Sequence, residues 1–298
     1  MYQVDNQRPL PLKLIRFIFE QVARDDVRSA ARLARISHLV QHWIDPILYS
    51  DVVLLRQTAC RSFLRTIETS KRGASYIVRS LCVSFNPLEV FVPKILLACP
   101  ALVNLTIYVV HTSLTGVETH ISSGNYEKLH FSLSRLRPSQ VQMELAAVAG
   151  NVYYDPLLPF HKTLFQSTTH LVVIDPWELW TACNFGLLPA LTHISFNLEL
   201  RPFQVGKMSA VLHALDRVFE RCARLKICIV RISRPGGVSK DYVQNTFPSV
   251  HDPRLVLLYD TEPLFNKSLR LASIWELAES ITKERRGQNK KRTMIPEI

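Results

Sequence analysis

The chain has 298 residues, 47% of them hydrophobic, and carries 36 Lys and Arg against 25 Asp and Glu, a formal charge of +11. That apolar content is enough for a substantial core and excludes wholesale disorder, while only 9 Gly argue against phosphate-cradling loops and hairpin-rich barrels. The charge sits at the ends: residues 1–80 hold 13 cations against 7 anions, residues 283–298 hold 6 against 2, and the stretch between holds 17 against 16. A nucleic-acid groove needs cations clustered along one surface, so the near-neutral body points to protein partners, with no nucleic acid expected.

The first residues lack both a basic start and an apolar core segment, so no signal peptide is expected. No apolar run approaches the roughly 18 residues needed to span a bilayer, and no membrane partner is expected. The expected setting is cytoplasmic or nuclear.

Leu10-Pro11 opens the first helical pattern. Leu14, Ile15, Ile18, Phe19 and Val22 recur at helical spacing, with Lys13, Arg16 and Glu20 on the other side. A second helix is expected from Val27 or Arg28 to about Trp43, with Asp25 or Asp26 as N-cap and Asp45-Pro46 as its end. Two or three helices in about 40 residues bury little area alone, so this module needs the downstream body or a partner to cover its apolar stripe.

Beyond residue 50 one unit recurs: an apolar helix or turn, a break, then a short strand of the form Leu-x-x-Leu-x-Val. Clear copies run from Ile95 to Ile107, from Gly186 to Phe196 and from Phe219 to Ile229. Strand centres are expected near Leu81, Leu105, Leu129, Leu171, Ile194, Ile227 and Val256. Most steps fit the roughly 20–29 residues of a leucine-rich repeat, and the step after Leu129 is nearly double. An apolar patch at 141–148 inside that long step reads as a helix, and the step itself as a repeat with an insertion or a degenerate extra repeat. The expected architecture is an α/β solenoid, irregular and leucine-rich-repeat-like, with a curved parallel sheet and helices outside.

Ser273-Ile274-Trp275-Glu276 has capping-box spacing, and Ile274, Leu277, Ala278 and Ile281 form the stripe of a last helix expected to cap the C-terminal end of the stack. The division expected is therefore 1–50, a helical module; 51–282, the solenoid; and 283–298, a basic tail expected to be disordered, or serving as an import signal.

Motifs for chemistry are absent. There is no Walker loop, dinucleotide fingerprint, metalloprotease helix or nucleophile elbow. The six cysteines form no C-x-x-C pair and read as small core residues. His38 and His42 lie four apart, but two histidines without a third ligand make a poor metal site. His170 and His193 each precede a strand and fit a role in satisfying backbone groups. Trp177 and Trp180, three apart, share a helix face and serve either as a partner anchor or as core. No catalytic residue, cofactor or metal is expected.

The run from Leu10 to Phe19, then Ile36-Ser37 and Trp43, resembles an F-box, in particular the degenerate form in large families of mushroom-type fungal proteins. Trp43-Ile44-Asp45-Pro46-Ile47-Leu48-Tyr49 followed by Val52-Val53-Leu54-Leu55 is similar to the segment and strand that follow it there. The resemblance extends through Trp177-Glu178-Leu179-Trp180, Asp252-Pro253-Arg254-Leu255 and Ile274-Trp275-Glu276-Leu277, some 270 residues in all. It implies a substrate-recruiting subunit docked on the adaptor subunit of a cullin-type ubiquitin ligase, with Leu10, Pro11, Leu14, Ile15, Ile18 and Phe19 as the adaptor contacts and an unidentified client protein. Lys13 stands where that family carries an acidic residue. Two other readings stay open: a leucine-rich-repeat-like scaffold with no ligase link, whose helical module only caps the stack, and an enzyme with an unrecognised site.

Overall fold

A computed structural model describes residues 10–69, 77–85, 91–109, 123–143, 163–199, 208–233, 247, 252–259 and 271–293. Three helices come first: α1 (Leu12–Asp25), α2 (Val27–Leu33) and α3 (His38–Leu48). Ala23, Ala30, Val40, Trp43 and Ile44 form a core of their own between them, with Ile15, Phe19 and Leu33 packed against it. Asp26 caps α2 by accepting from the backbone N–H groups of Arg28 and Ser29, at 3.1 and 3.0 Å.

The single helix expected over Val27–Trp43 is two helices. Ser37 interrupts it, turning extended and accepting from the Val40 N–H at 3.2 Å to start α3. Pro46 does not end α3, which continues to Leu48. So near the C-terminus a proline forfeits only one intrahelical bond.

The rest is an α/β fold built on one all-parallel, eight-stranded sheet whose strands lie in sequence order. Strands β1 (Asp51–Leu54), β2 (Ser80–Phe85), β3 (Asn104–Val109) and β4 (Gln140–Met143) make the first half. Strands β5 (His170–Val173), β6 (His193–Glu199), β7 (Ile227–Ser233) and β8 (Leu255–Tyr259) make the second. The intervening helices are α4 (Gln57–Thr69), α5 (Phe91–Ala98), α6 (Ser123–Ser134), α7 (Thr163–Gln166), α8 (Trp177–Trp180) and α9 (Met208–Arg221), and the last helix is α10 (Leu271–Thr293).

Register fixes which side chains meet. Val52, Leu81, Leu105, Val141, Leu171, Ile194 and Cys228 form one row across the sheet, and Leu54, Val83, Ile107, Met143, Val173, Phe196 and Val230 form the next on the same face. Both rows share a single apolar core with Phe63, Ile95, Leu129, Phe165, Trp180 and Leu215 from the helices, so that face is the helix-covered one.

A backbone ladder ties each step to the next. The carbonyl of Ser50 accepts from the N–H groups of both Arg79 and Ser80, and those of Arg79, Val103, Ser139, Thr169 and Thr192 each accept from two consecutive N–H groups of the following unit in the same way. Thr169 and Thr192 add their hydroxyls, donating to the Ser139 and Thr169 carbonyls at 3.0 Å. The backbone groups at the strand entrances are thus paired from unit to unit, as a buried chain requires.

Three expectations need correction. Leu129 is not in a strand: it lies in α6, fully buried beside Leu133. The alternation Leu-x-Phe-x-Leu mimics a strand, but Leu129, Leu133 and Leu136 are also spaced for a helix, and burial follows the helical spacing. The missing strand is β4, inside the patch read as a helix; the remainder of that patch lies outside the described residues. With β4 restored, no step between strands is doubled.

The last helix is also different. It does not cap an end but lies across the second face of the sheet, where Trp275 and Ala278 pack with Val172, Ile227, Ile229 and Val256. It also runs on to Thr293, so that most of the basic segment expected to be a disordered tail is helical. Cations at a helix C-terminus suit its dipole, which favours extension rather than fraying.

Gly186, in a 3-10 turn (Phe185–Leu187), marks the tightest approach. A Cβ there would sit 2.8 Å from the Arg221 Cβ and 3.4 Å from the Arg221 carbonyl at the end of α9. Gly186→Ala must push α9 away from the turn. It is expected to cost about 1–3 kcal/mol, read as a lowered midpoint in thermal denaturation.

Candidate docking surface

Helix α1 carries more apolar residues than its own bundle can bury. Ile15, Phe19 and Ala23, spaced by four, turn inward against α2 and α3. Leu14, Ile18 and Val22, one position earlier in each turn, turn outward and are exposed by 43, 42 and 40%. Leu10, Leu12 and Phe17 are exposed as well, by 57, 58 and 61%. Isolated exposed leucines need no explanation, but six large apolar side chains on or next to one helix do.

The six residues expected to contact an adaptor therefore divide. Leu10, Pro11, Leu14 and Ile18 are exposed, while Ile15 and Phe19 are half-buried in the bundle. The stripe read from sequence merged two adjacent stripes with different tasks. Leu12 and Phe17 were missed because a stripe is drawn to fit one face. The available signal was the width of the apolar arc, broader than the roughly 100° a core-facing helix needs.

Charge frames this surface unevenly. Glu20 is held by Arg16 at 2.6 Å and Arg24 at 3.5 Å, so its carboxylate is matched within the helix. Lys13, between the exposed Leu12 and Leu14, makes no ion pair among the described residues.

The two tryptophans considered as a surface anchor are core residues. Trp180 is fully buried, stacks on Phe196 with ring centroids 4.3 Å apart, and donates its indole N–H to the Asn197 carbonyl at 3.0 Å. Trp177 is buried in the same core. Trp180 is closed off and Trp177 keeps only 7% of its surface, so the i, i+3 aromatic pair on this one-turn helix is here a packing device.

His38 and His42 are exposed on α3. Among the described residues no group of three or more His, Cys, Asp or Glu could hold a metal ion. The Thr169 and Thr192 hydroxyls, not the adjacent imidazoles, satisfy the backbone carbonyls at the sheet edge. Each imidazole instead holds its own threonine: His170 Nδ1 lies 2.8 Å from the Thr169 hydroxyl, and His193 Nδ1 lies 2.8 Å from that of Thr192.

The cysteines are packing residues, five buried and Cys183 half-buried, and Cys60 directs its thiol at the Leu54 carbonyl at 3.7 Å. Burial pushes Cys82 and Cys222 up to about 11 and Cys99 and Cys183 up to about 12, and it raises Cys228 as well. Such thiols stay protonated at neutral pH, so they pack and do not attack. No helix among the described residues is long and apolar enough to cross a membrane. No family model matches the chain, and no curated protein sequence is detectably similar to it.

Proposed function

We propose that the chain is a non-catalytic, substrate-recruiting subunit of a cullin-type ubiquitin ligase. In this reading the bundle α1–α3 is an F-box-like module and the sheet with its helices is a curved, leucine-rich-repeat-like solenoid that presents a client protein. One observation carries the proposal: α1 packs one apolar stripe and leaves a second, Leu14, Ile18 and Val22, facing solvent. A cap that only closed the end of the stack would have no use for the second stripe. An unpartnered helix face of this kind is what a helix-in-groove contact buries.

Two further features support the reading. The sequence-ordered parallel sheet is the topology a stack of repeats produces, because each unit adds one strand beside the last. The near-neutral body suits a protein client better than a nucleic acid. The subunit would accelerate ubiquitin transfer by concentrating the client near the ligase, with no bond chemistry of its own.

The test is capture of the purified full-length chain by the purified adaptor subunit at micromolar concentration. Stoichiometric capture is expected. No capture at tens of micromolar would favour the scaffold reading, in which the same repeat body binds partners without a ligase.

A further inference from the structure

We infer that α10 is a proton-released lid over the second face of β5–β8, latched by the stacked imidazoles of His170 and His193. The helix covers only part of that face. Beneath it β7 is buried on both sides, whereas β1, far from the helix, alternates between exposed and buried. The lid packs through Trp275 and Ala278, with Ile274 and Ile281, on a cluster separate from the main core. Arg285 also donates to the Leu255 carbonyl at 2.8 Å.

The latch sits at the edge of this contact. His170 and His193 occupy neighbouring register positions on β5 and β6, their rings stacked 4.2 Å apart and nearly parallel. Trp275 meets both edge-on, at 5.3 and 5.7 Å. The Thr169 and Thr192 hydroxyls bridge the two layers of the contact, each reaching a backbone carbonyl at 3.0 Å and the Nδ1 of the histidine that follows it at 2.8 Å. His193 Nε2 is buried without a hydrogen bond, 3.3 Å from Glu279 Oε1 on α10.

A second proton on either ring meets opposing groups. Glu279 welcomes it, but Glu279 is 60% exposed and screened. Burial, the stacked second ring and the Lys226 ammonium ahead of β7 disfavour it. The balance is unfavourable: burial first, then His193, holds His170 down to about 4, and burial holds His193 below its ordinary value.

Once α10 lifts, the rings are hydrated and return toward their ordinary value near 6.5. The open form then binds protons that the closed form refuses. Closure is thus complete above about pH 6.5 and weakens as the pH falls toward 4. Full linkage through one such histidine changes the closed-to-open ratio about 20-fold between pH 7 and 5, and partial exposure of His170 reduces this to about tenfold. Opening uncovers Val172, Ile227, Ile229 and Val256.

Amide hydrogen exchange on the full chain, corrected for intrinsic rates, tests this at pH 7 and pH 5. Protection over residues 274–285 is expected to fall about tenfold at pH 5 while β2 and β3 keep theirs. His170→Asn with His193→Asn keeps a side-chain amide where Nδ1 was but takes up no proton, so its α10 should be insensitive to pH. If that variant does not fold, Glu279→Gln serves instead. It removes the group favouring a proton in the closed form, so α10 should lose at least as much protection at pH 5 as in the parent chain. Unchanged α10 protection at pH 5, or loss shared equally by β2 and β3, overturns the proposal.

Discussion

Trp180→Ala is expected to lower folding stability by about 3–5 kcal/mol, the usual range for deleting a fully buried large aromatic. The indole ties α8 to β6 twice, stacking on Phe196 and donating to the Asn197 carbonyl. Phe185 meets the same Phe196 edge-on at 5.1 Å, so the cavity would open at a junction of three rings rather than at a margin that can collapse. Trp180→Phe should keep much of the stack and lose the indole donor, at about 1–2 kcal/mol. Denaturant unfolding monitored by circular dichroism reads both. A loss below about 1 kcal/mol from Trp180→Ala would mean that the ring is not part of the core.

How far such a role could be foreseen differs between the two tryptophan functions considered. An aromatic pair at i, i+3 says that two rings share a face, but not what covers that face. The decision depends on β6, which supplies Phe196 from another segment of the chain. Periodicity sees only local neighbours, so it left anchor and core as alternatives.

The strands were legible where a unit was self-consistent. Leu81, Leu105, Leu171, Ile194 and Val256 all lie in strands, each with a preceding break and a short β-rich run. Leu129 failed because Leu-x-Phe-x-Leu satisfies a period of two and Leu129, Leu133, Leu136 also satisfy a helical period. β4 failed for the complementary reason: Gln140-Val141-Gln142-Met143 has only two apolar side chains, and its neighbours suggested a helix. What makes it a strand is pairing with Asn104–Ile107 and His170–Val173, a non-local fact.

The last helix shows the same limit at the level of topology. Three of its stripe residues, Ile274, Ala278 and Ile281, pack as read, but Leu277 is 50% exposed with Trp275 buried in its stead, and the placement of the helix was not readable. A capping stripe and a stripe that lies over the sheet have the same spacing. The difference is written in the receiving strands: β7 is apolar on both faces, with Ile227 and Ile229 turned away from the main core. A strand without alternation expects cover on both sides.

On α1, paired substitutions in adjacent stripes separate docking from packing. Leu14→Asp with Ile18→Asp places two carboxylates on a surface already exposed to water, so the thermal midpoint should move by no more than about 2 °C. If the adaptor buries this stripe, the same change leaves two charges without partners in an apolar groove, and affinity should fall about 100-fold or more. Ile15→Ala with Phe19→Ala should do the reverse first, lowering the stability of the bundle by about 2–4 kcal/mol because both residues pack on its core. Titration calorimetry with the purified adaptor, alongside thermal melts, distinguishes the two. Parental affinity in the double-aspartate variant would show that the outward stripe is not the docking surface. A folded variant that no longer binds ties adaptor recognition to the outward apolar stripe of α1.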